Sequence, residues 1–428
     1  MFVAVAWMVG VAGLCLAQSA PVSSVAPSPN AGPYDVVLTR VSSGERVTGR
    51  LAALDGRRAE VVTRGGPVAV PWSDVETLAR PAGTPLVPPA PPLTMLTTGD
   101  VLRVRPVVMT EDRLLATWED FPDREHLSVP LELVRGVWAP PAKALGGAVV
   151  GKSSPLPDFS DVGRWWPRLL DLSAPRDTVW LSNGDLLTGE LRGLGEGRYR
   201  LLAAGETAET EVPSETLEGW RLSAELSTVP PPPTEGIVVL LIDGSRIEAR
   251  SVKLSAETLE LTMRFDAVLK VSLLDISELR PFGGAVRYLS DIEPAEYRHT
   301  PLLRLAWPLV RDRAVNGGPL LPGGHLSSKG LGMHATSEVR YQIASDDREF
   351  RVRFGADLTA GKTGSVVGEV LVDGRTVYRS PVMSGDDPAV EVPPVVVKGR
   401  ATLTLRVLAG PHADIRDRAD WADARLVK

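Results

Sequence analysis

The sequence predicts an all-β protein in which four small barrel repeats precede a β-sandwich. Three observations support this prediction. One strand-and-turn pattern recurs four times before residue 284, proline-rich stretches separate the repeats, and apolar residues alternate with period two after that point. Apolar residues make up 43% of the 428 positions and charged residues 23%, a composition typical of packed globular proteins.

Each repeat consists of an apolar strand, a tight turn, a longer second strand and further short strands. A glycine occupies the turn in all four repeats, which suits a backbone with positive φ: Gly44, Gly99, Gly184 and Gly244. Five short strands in so small a unit predict a strongly bent SH3-like or Sm-like barrel. Because such a unit is marginally stable alone, neighbouring units are expected to pack together. The predicted units span 35–81, 93–141, 177–224 and 236–283.

Two segments between the units do not follow the repeat pattern. Residues 142–176 form an insertion that carries Trp165 and Trp166, and residues 225–235 form a proline-rich linker. The tryptophan pair is expected to pack over a barrel, with partner binding as the alternative. Four further tryptophans are expected to fill cores or seams, with exposed sugar stacking as the alternative: Trp72, Trp138, Trp180 and Trp220.

The first 17 residues, MFVAVAWMVGVAGLCLA, are apolar throughout. This run is short for a membrane span and typical of the apolar part of a signal peptide, although no Lys or Arg precedes it. We therefore expect residues 1–20 to be a signal peptide and the mature protein to be secreted, periplasmic or held in the cell envelope without a membrane span. An uncleaved N-terminal anchor and a cytoplasmic protein are the alternatives. Cys15 is the only cysteine, so the mature chain is expected to have no disulfide.

Residues 284–428 have the pattern of an antiparallel β-sandwich. Apolar residues alternate in EVRYQI (338–343), and in EFRVRFGAD (349–357) Arg351 and Arg353 lie on the face opposite three apolar residues. Further strands are expected at 365–382, 389–397 and 401–410, and Asp373-Gly374 predicts a hairpin turn.

Several motifs in this region occur in a fixed order: YLSDIEPAEY, RDRAVNGGPL, KGLGMHATSEVRYQI, FRVRFGAD, GEVLVDGRTVYRS and DIRDRADWADARLV. Together they resemble the NPCBM/NEW2 family, which is named for carbohydrate binding and occurs beside glycoside hydrolase domains and in many planctomycete proteins. The resemblance implies a galactose-binding-like jelly roll and a carbohydrate or polysaccharide ligand.

The candidate carbohydrate-binding residues lie within these motifs: Lys329, His334, Arg418, Asp420 and Trp421. Acids beside a tryptophan suit a sugar, because the ring stacks on a pyranose face while carboxylates accept hydroxyl protons. Each residue also has a structural interpretation: an ion pair for Lys329, a loop contact for His334, and a core position for Trp421. Catalysis is the third interpretation of His334, although no nearby partner acid or nucleophile supports it.

The chain departs from the family pattern at two places. After Gly355-Ala356, Asp357-Leu358 stands where the family often has two acidic residues, which is expected to weaken a cation or polar site. Arg418 stands where the family often has His, which removes one possible sugar contact. Asp312 and Asn316 form an oxygen-rich loop beside two glycines. This loop predicts a structural Ca²⁺ site, with a plain Asx turn as the alternative.

The composition and motifs also exclude several function classes. A net charge of −6 without a cationic block argues against nucleic-acid binding. The chain lacks GxSxG and HExxH motifs. We therefore expect a non-catalytic protein that binds carbohydrate at the cell envelope. The alternatives are a structural scaffold with an envelope protein partner, an accessory module of a glycoside hydrolase system, and a glycosidase without a recognisable motif.

Overall fold

The computed structural model describes residues 34–81, 89–141, 165–169, 175–231, 233–301, 306–411 and 416–428. The predicted signal peptide with Cys15, and most of the insertion at 142–176, lie outside these residues. The described residues form strands joined by short loops, so the all-β prediction is confirmed. The exceptions are short: one helical turn spans 165–169, and seven 3₁₀ turns span Trp72–Asp74, Leu131–Leu133, Ser214–Thr216, Ala224–Leu226, Leu273–Asp275, Leu289–Asp291 and Leu358–Ala360.

The region before residue 284 contains four similar groups of strands, called units 1 to 4. Unit 1 comprises β1 (Asp35–Arg40), β2 (Arg46–Leu54), β3 (Arg58–Thr63), β4 (Gly66–Pro71) and β5 (Val75–Ala79). Unit 2 comprises β6 (Leu93–Leu96), β7 (Val101–Leu102), β8 (Val104–Met109), β9 (Arg113–Trp118), β10 (Leu127–Pro130) and β11 (Val134–Trp138). Unit 3 comprises β12 (Asp177–Leu181), β13 (Leu186–Gly195), β14 (Arg198–Ala203), β15 (Glu209–Pro213) and β16 (Leu217–Arg221). Unit 4 comprises β17 (Gly236–Leu241), β18 (Arg246–Ser255), β19 (Thr258–Met263), β20 (Val268–Ser272) and β21 (Ile276–Phe282).

All four units share one antiparallel strand order. In unit 1 it is β4-β3-β2-β1-β5, and a 3₁₀ turn leads into the last strand of every unit. The register shifts in the second long strand of each unit, for example between Leu51 and Ala53, and such bulges bend a strand. The four predicted turn glycines all have positive φ. The described pairings leave each unit an open sheet, so closure into a barrel stays a prediction.

The units are joined edge to edge, but not in chain order. The last strand of unit 1, β5, pairs with β21 of unit 4, and β11 of unit 2 pairs with β16 of unit 3. A single register pair, Arg246 with Val101, links units 4 and 2. The expectation that sequence neighbours pack together therefore holds for units 2 and 3, whereas unit 1 pairs with unit 4. In both pairs the contact is made by the last strands of the units. The result is one continuous sheet of 21 strands.

Tryptophans fill the seam between units 2 and 3. Trp165 stacks on Trp138 of unit 2 at 5.9 Å between ring centroids and meets Trp180 of unit 3 edge-on at 5.2 Å. Trp165 and Trp166 are buried, so the prediction that this pair packs over the repeats is confirmed. Trp220 of unit 3 is also fully buried, and Trp72 of unit 1 is half-buried against the main apolar core.

The C-terminal region forms two antiparallel sheets packed face to face. Its strands are β22 (Val286–Tyr288), β23 (Glu296–His299), β24 (Val310–Arg311), β25 (Gly330–His334), β26 (Ser337–Gln342), β27 (Glu349–Ala356), β28 (Val366–Val372), β29 (Arg375–Arg379), β30 (Val390–Val396), β31 (Thr402–Ala409) and β32 (Arg418–Val427). One sheet has the order β24-β25-β32-β27-β30, with β22 also paired to β32, and the other has the order β23-β26-β31-β28-β29. The predicted sandwich is confirmed, as is the hairpin turn at Asp373-Gly374, where both residues have positive φ.

The sandwich sits directly on units 1 and 4. An apolar cluster spans the junction: Val41, Val238, Phe282, Val286, Tyr288 and Val427. Beside it, Glu76 of unit 1 is 1% exposed and accepts hydrogen bonds from Arg351 at 2.7 Å and from Arg425. Asp423 of the sandwich lies 2.9 Å from Arg280 of unit 4. Buried charges of this kind require partners, so the junction fixes the sandwich against the repeats.

Replacing Glu76 with Gln is expected to destabilise the protein by about 3 kcal/mol, because it leaves two buried arginines without their carboxylate. Chemical denaturation measures this change. The control is Glu45→Gln, which removes an exposed partner 3.4 Å from Arg40 and should cost less than about 1 kcal/mol. If the two substitutions destabilise the protein equally, the buried ion pairs of the junction contribute no more to stability than an exposed ion pair does.

Candidate functional site

Three aromatic side chains meet at one end of the sandwich. His334 ends β25 and is 3% exposed, and its ring lies parallel to that of Trp307, with 5.0 Å between centroids and 5° between planes. His299, at the end of β23, meets His334 edge-on at 5.9 Å. The Nδ1 atom of His334 lies 2.8 Å from the carbonyl oxygen of Ala335. The imidazole is therefore held in one orientation beneath the indole.

The backbone of Trp307 is fixed by the neighbouring strand. Its N–H donates to Nδ1 of His299 at 3.1 Å, and its carbonyl oxygen accepts from the hydroxyl of Tyr297 at 3.0 Å. The side chain of Trp307 is only half-buried, since His334 covers one ring face. Sequence reasoning missed this residue. The available signal was a tryptophan followed by proline, outside any alternating pattern.

Polar groups lie next to this aromatic cluster. Arg418 stands opposite His334 in the β25–β32 register and donates to the hydroxyl of Thr359 at 3.2 Å. Asn316 donates to the same hydroxyl at 3.2 Å, and Thr359 in turn donates to Asp357. Burial lowers the pKa of Arg418, although the carboxylate of Asp357 opposes this shift. The end of the sandwich therefore combines a half-exposed ring with a guanidinium, an amide and a hydroxyl.

Two of the five predicted sugar-binding residues lie in the interior. Asp420 and Trp421 are both 0% exposed, so the prediction that they contact a sugar is wrong. Trp421 packs on Phe354 with 4.4 Å between centroids, and Asp420 accepts from the backbone N–H of Leu321 at 3.0 Å. β32 lies between β25 and β27, and its residues are buried on both faces.

Lys329 is also removed from the surface. It is 3% exposed and its ammonium lies 2.5 Å from Asp291 and 2.9 Å from Asp312. Burial opposes the charge, but the carboxylates of Asp312 and Asp291 raise the pKa of Lys329 above its ordinary value. The side chain therefore forms a buried ion pair instead of contacting an exposed sugar hydroxyl.

The predicted calcium ligands do not form a cation site. One oxygen of Asp312 accepts from Lys329 and the other from the backbone N–H of Gly330 at 3.1 Å. The carbonyl oxygen of Asn316 accepts from the backbone N–H of Gly318 at 3.1 Å, which is the Asx turn given as the alternative. Among the described residues, no three His, Cys, Asp or Glu side chains are grouped so that they could hold a metal ion. The calcium interpretation is therefore corrected.

Residues 285–427 match the model of the NPCBM/NEW2 domain. The resemblance stated from the sequence motifs is therefore confirmed for these residues. The aromatic cluster, Arg418 and the buried Asp420 all lie within the matched range. None of the helices in the described part of the chain is long and apolar enough to cross a membrane.

One curated relative is a protein of Renibacterium salmoninarum named "Putative endo-alpha-N-acetylgalactosaminidase". It is 35% identical over 126 residues, which are 28% of this chain and 8% of the relative, so the chain spans less than a tenth of that protein. Among solved structures, CBM51 from Clostridium perfringens GH95 in complex with methyl-galactose is 26% identical, with a TM-score of 0.31, over 33% of this chain and 99% of that one. CBM51-2 with INT domains from Clostridium perfringens ZmpB, in complex with GlcNAc, is 22% identical, with a TM-score of 0.31, over 42% of this chain and 37% of that one.

The carboxyl group of Asp420 is expected to make stability depend on pH. Burial, and then the nearby Asp357, raise the pKa of Asp420 well above its ordinary value, and one buried oxygen of each carboxyl has no hydrogen-bond donor among the described residues. The folded protein therefore holds a proton that the unfolded chain releases, so the free energy of unfolding should fall as the pH rises from the ordinary pKa of about 4 through the raised one.

In the variant Asp420→Asn, the free energy of unfolding should not fall in this way as the pH rises, because an amide cannot ionise. The variant should be at least as stable as the wild type at pH 8. Denaturant titrations at pH 5 and pH 8 measure the difference. Asp420→Ala removes the acceptor for the Leu321 N–H and should be destabilised at both pH values by about 1–3 kcal/mol. An Asn variant that is less stable than the wild type at pH 8 would contradict the interpretation that the folded protein holds a proton on Asp420.

Proposed function

We propose that the C-terminal sandwich binds carbohydrate at the end that carries Trp307 and His334. The family match over residues 285–427 carries this proposal. The local chemistry supports it, because the half-exposed indole offers an apolar face for a pyranose ring while adjacent polar groups are positioned for hydroxyl contacts. Of the predicted sugar-binding residues, His334 and Arg418 keep a place in this site: His334 sets the orientation of the indole, and Arg418 supplies donors.

The proposed role is binding without catalysis. Glycoside hydrolysis in most families needs two carboxyl groups that flank the scissile bond in an open cleft. The acids beside the candidate site, Asp357 and Asp420, are both 0% exposed and face each other in the interior. They support the fold of this end of the sandwich.

The repeats give the proposed binding domain a rigid base. Their continuous sheet and the buried junction support a role in which units 1 to 4 set the distance and direction of the sandwich. The apolar run at the start of the sequence is the basis for proposing that the protein is secreted or held in the envelope. A structural scaffold that contacts an envelope protein is the second candidate, favoured by the same continuous sheet. An accessory role beside a glycoside hydrolase is consistent with the name of the much longer curated relative.

Binding of the full-length protein to a glycan array tests the proposal, with methyl-galactose and GlcNAc as the first soluble probes in calorimetry. Trp307→Ala should weaken binding of any recognised sugar at least about 10-fold, because the stacking face is lost. Tyr378→Ala, which alters a half-buried ring on β29 of the same domain, should bind as the wild type does. A wild-type protein that binds no glycan, or a Trp307→Ala variant with unchanged affinity, would contradict the proposal.

A further inference from the structure

A second cavity lies away from the aromatic cluster, where unit 2, unit 4 and the sandwich meet. Its volume is about 660 Å³, which is within the range of small-molecule sites. Each of the three parts contributes to its wall, for example Val101 of unit 2, Leu240 of unit 4 and Arg313 of the sandwich. The cavity therefore exists only because the junction holds the sandwich on the repeats.

The cavity wall carries more positive than negative charge. Two arginines of the wall form ion pairs with acids that do not line the cavity. Arg287 pairs with Asp347 at 2.5 Å, and Arg311 pairs with Glu293 at 2.7 Å. The remaining charged groups of the wall are four cations and three acids: Arg246, Arg264, Arg313, Lys329, Glu248, Asp291 and Asp312. Counting one charge each leaves one positive charge without a counter-ion.

The local contacts show which of these cations has no carboxylate contact among the described residues. Lys329 forms ion pairs with Asp291 and Asp312, as described above. Glu248 lies 4.0 Å from Arg246 and 3.9 Å from Arg264, and both arginines also donate to backbone carbonyl oxygens, of Gly99 and Thr98 respectively. Arg246 and Arg264 therefore share one carboxylate, whereas no carboxylate contact is described for Arg313.

Arg313 makes no side-chain hydrogen bond or ion pair with any residue in the described part of the chain. Burial lowers its pKa to about 10, and the positive charges of Arg135 and Arg246 add to this effect, whereas Asp312 opposes it. The group is still charged at neutral pH. A cation held among other cations without a partner is costly, and a bound anion removes that cost.

We propose that this cavity binds a small monoanionic ligand, up to sugar size, whose carboxylate or sulfate group pairs with Arg313. The apolar side chains of Val101, Leu240 and Trp166 form the wall against which the body of the ligand packs. This site is separate from the proposed carbohydrate site, because Trp307 and His334 are not part of the cavity wall.

Calorimetry with the full-length protein tests this proposal, with D-glucuronate and glucose 6-sulfate as anionic probes and methyl glucoside as the neutral one. At least one anionic probe should bind, and methyl glucoside should not bind at this cavity. Arg313→Gln should weaken that binding at least 10-fold, whereas Arg400→Gln, which alters an exposed arginine 3.9 Å from Asp373 near the sandwich hairpin, should not. Trp307→Ala should leave binding of the anionic probe intact, which separates this result from the test of the carbohydrate site.

The thermal stability of Arg313→Gln checks its fold, and the melting temperature should equal or exceed that of the wild type because a half-buried charge without a described partner is removed. Four results would overturn the proposal. They are no binding of either anionic probe, unchanged binding by Arg313→Gln, a large fall in its melting temperature, and inorganic sulfate binding as tightly as either anionic sugar.

Discussion

The arrangement of this protein depends on a buried set of ion pairs between the repeats and the sandwich. Glu76 of unit 1 accepts from Arg351 and Arg425, and Asp423 lies 2.9 Å from Arg280 of unit 4 and 3.2 Å from Arg353. Each charge is costly to bury unless its partner is in place, so a small displacement of the sandwich would break several pairs together. The interaction therefore specifies one relative position of the two parts.

Both candidate sites follow from this position, but in different ways. The aromatic cluster around Trp307 is built within the sandwich, and the junction sets only where it points. The cavity around Arg313 needs three separate parts of the chain, since unit 2, unit 4 and the sandwich each contribute a wall. A ligand in that cavity would therefore bind to the assembled protein and would stabilise the junction by linkage.

The sequence predicted local features well, because local chemistry decides them. Gly44 and its equivalents adopt positive φ at the repeat turns, and Asp373-Gly374 forms the hairpin. Contacts between distant segments were not predictable. Arg351 and Arg353 were assigned correctly to the face opposite the core, but the alternation does not show that this face meets Glu76 and Asp423 instead of water.

The candidate site shows the same limit. The Asp420-Trp421 pair suggested a sugar site, yet β32 is a central strand whose two faces are both covered, so neither side chain reaches the surface. The neighbouring strands that cover it are far away in sequence. Trp307, in contrast, belongs to a segment without periodicity, so only its packing on His334 and its bonds to His299 and Tyr297 reveal a defined position.

The most direct test of this account is a distance measurement between spin labels on unit 4 and on the sandwich. Val268 and Val377 are exposed strand residues, 58% and 51%, and suit labelling as Val268→Cys and Val377→Cys in a Cys15→Ser background. If the buried ion pairs fix the sandwich on the repeats, pulsed electron paramagnetic resonance should give one narrow distance distribution. A broad distribution, or several separate distances, would contradict the central claim.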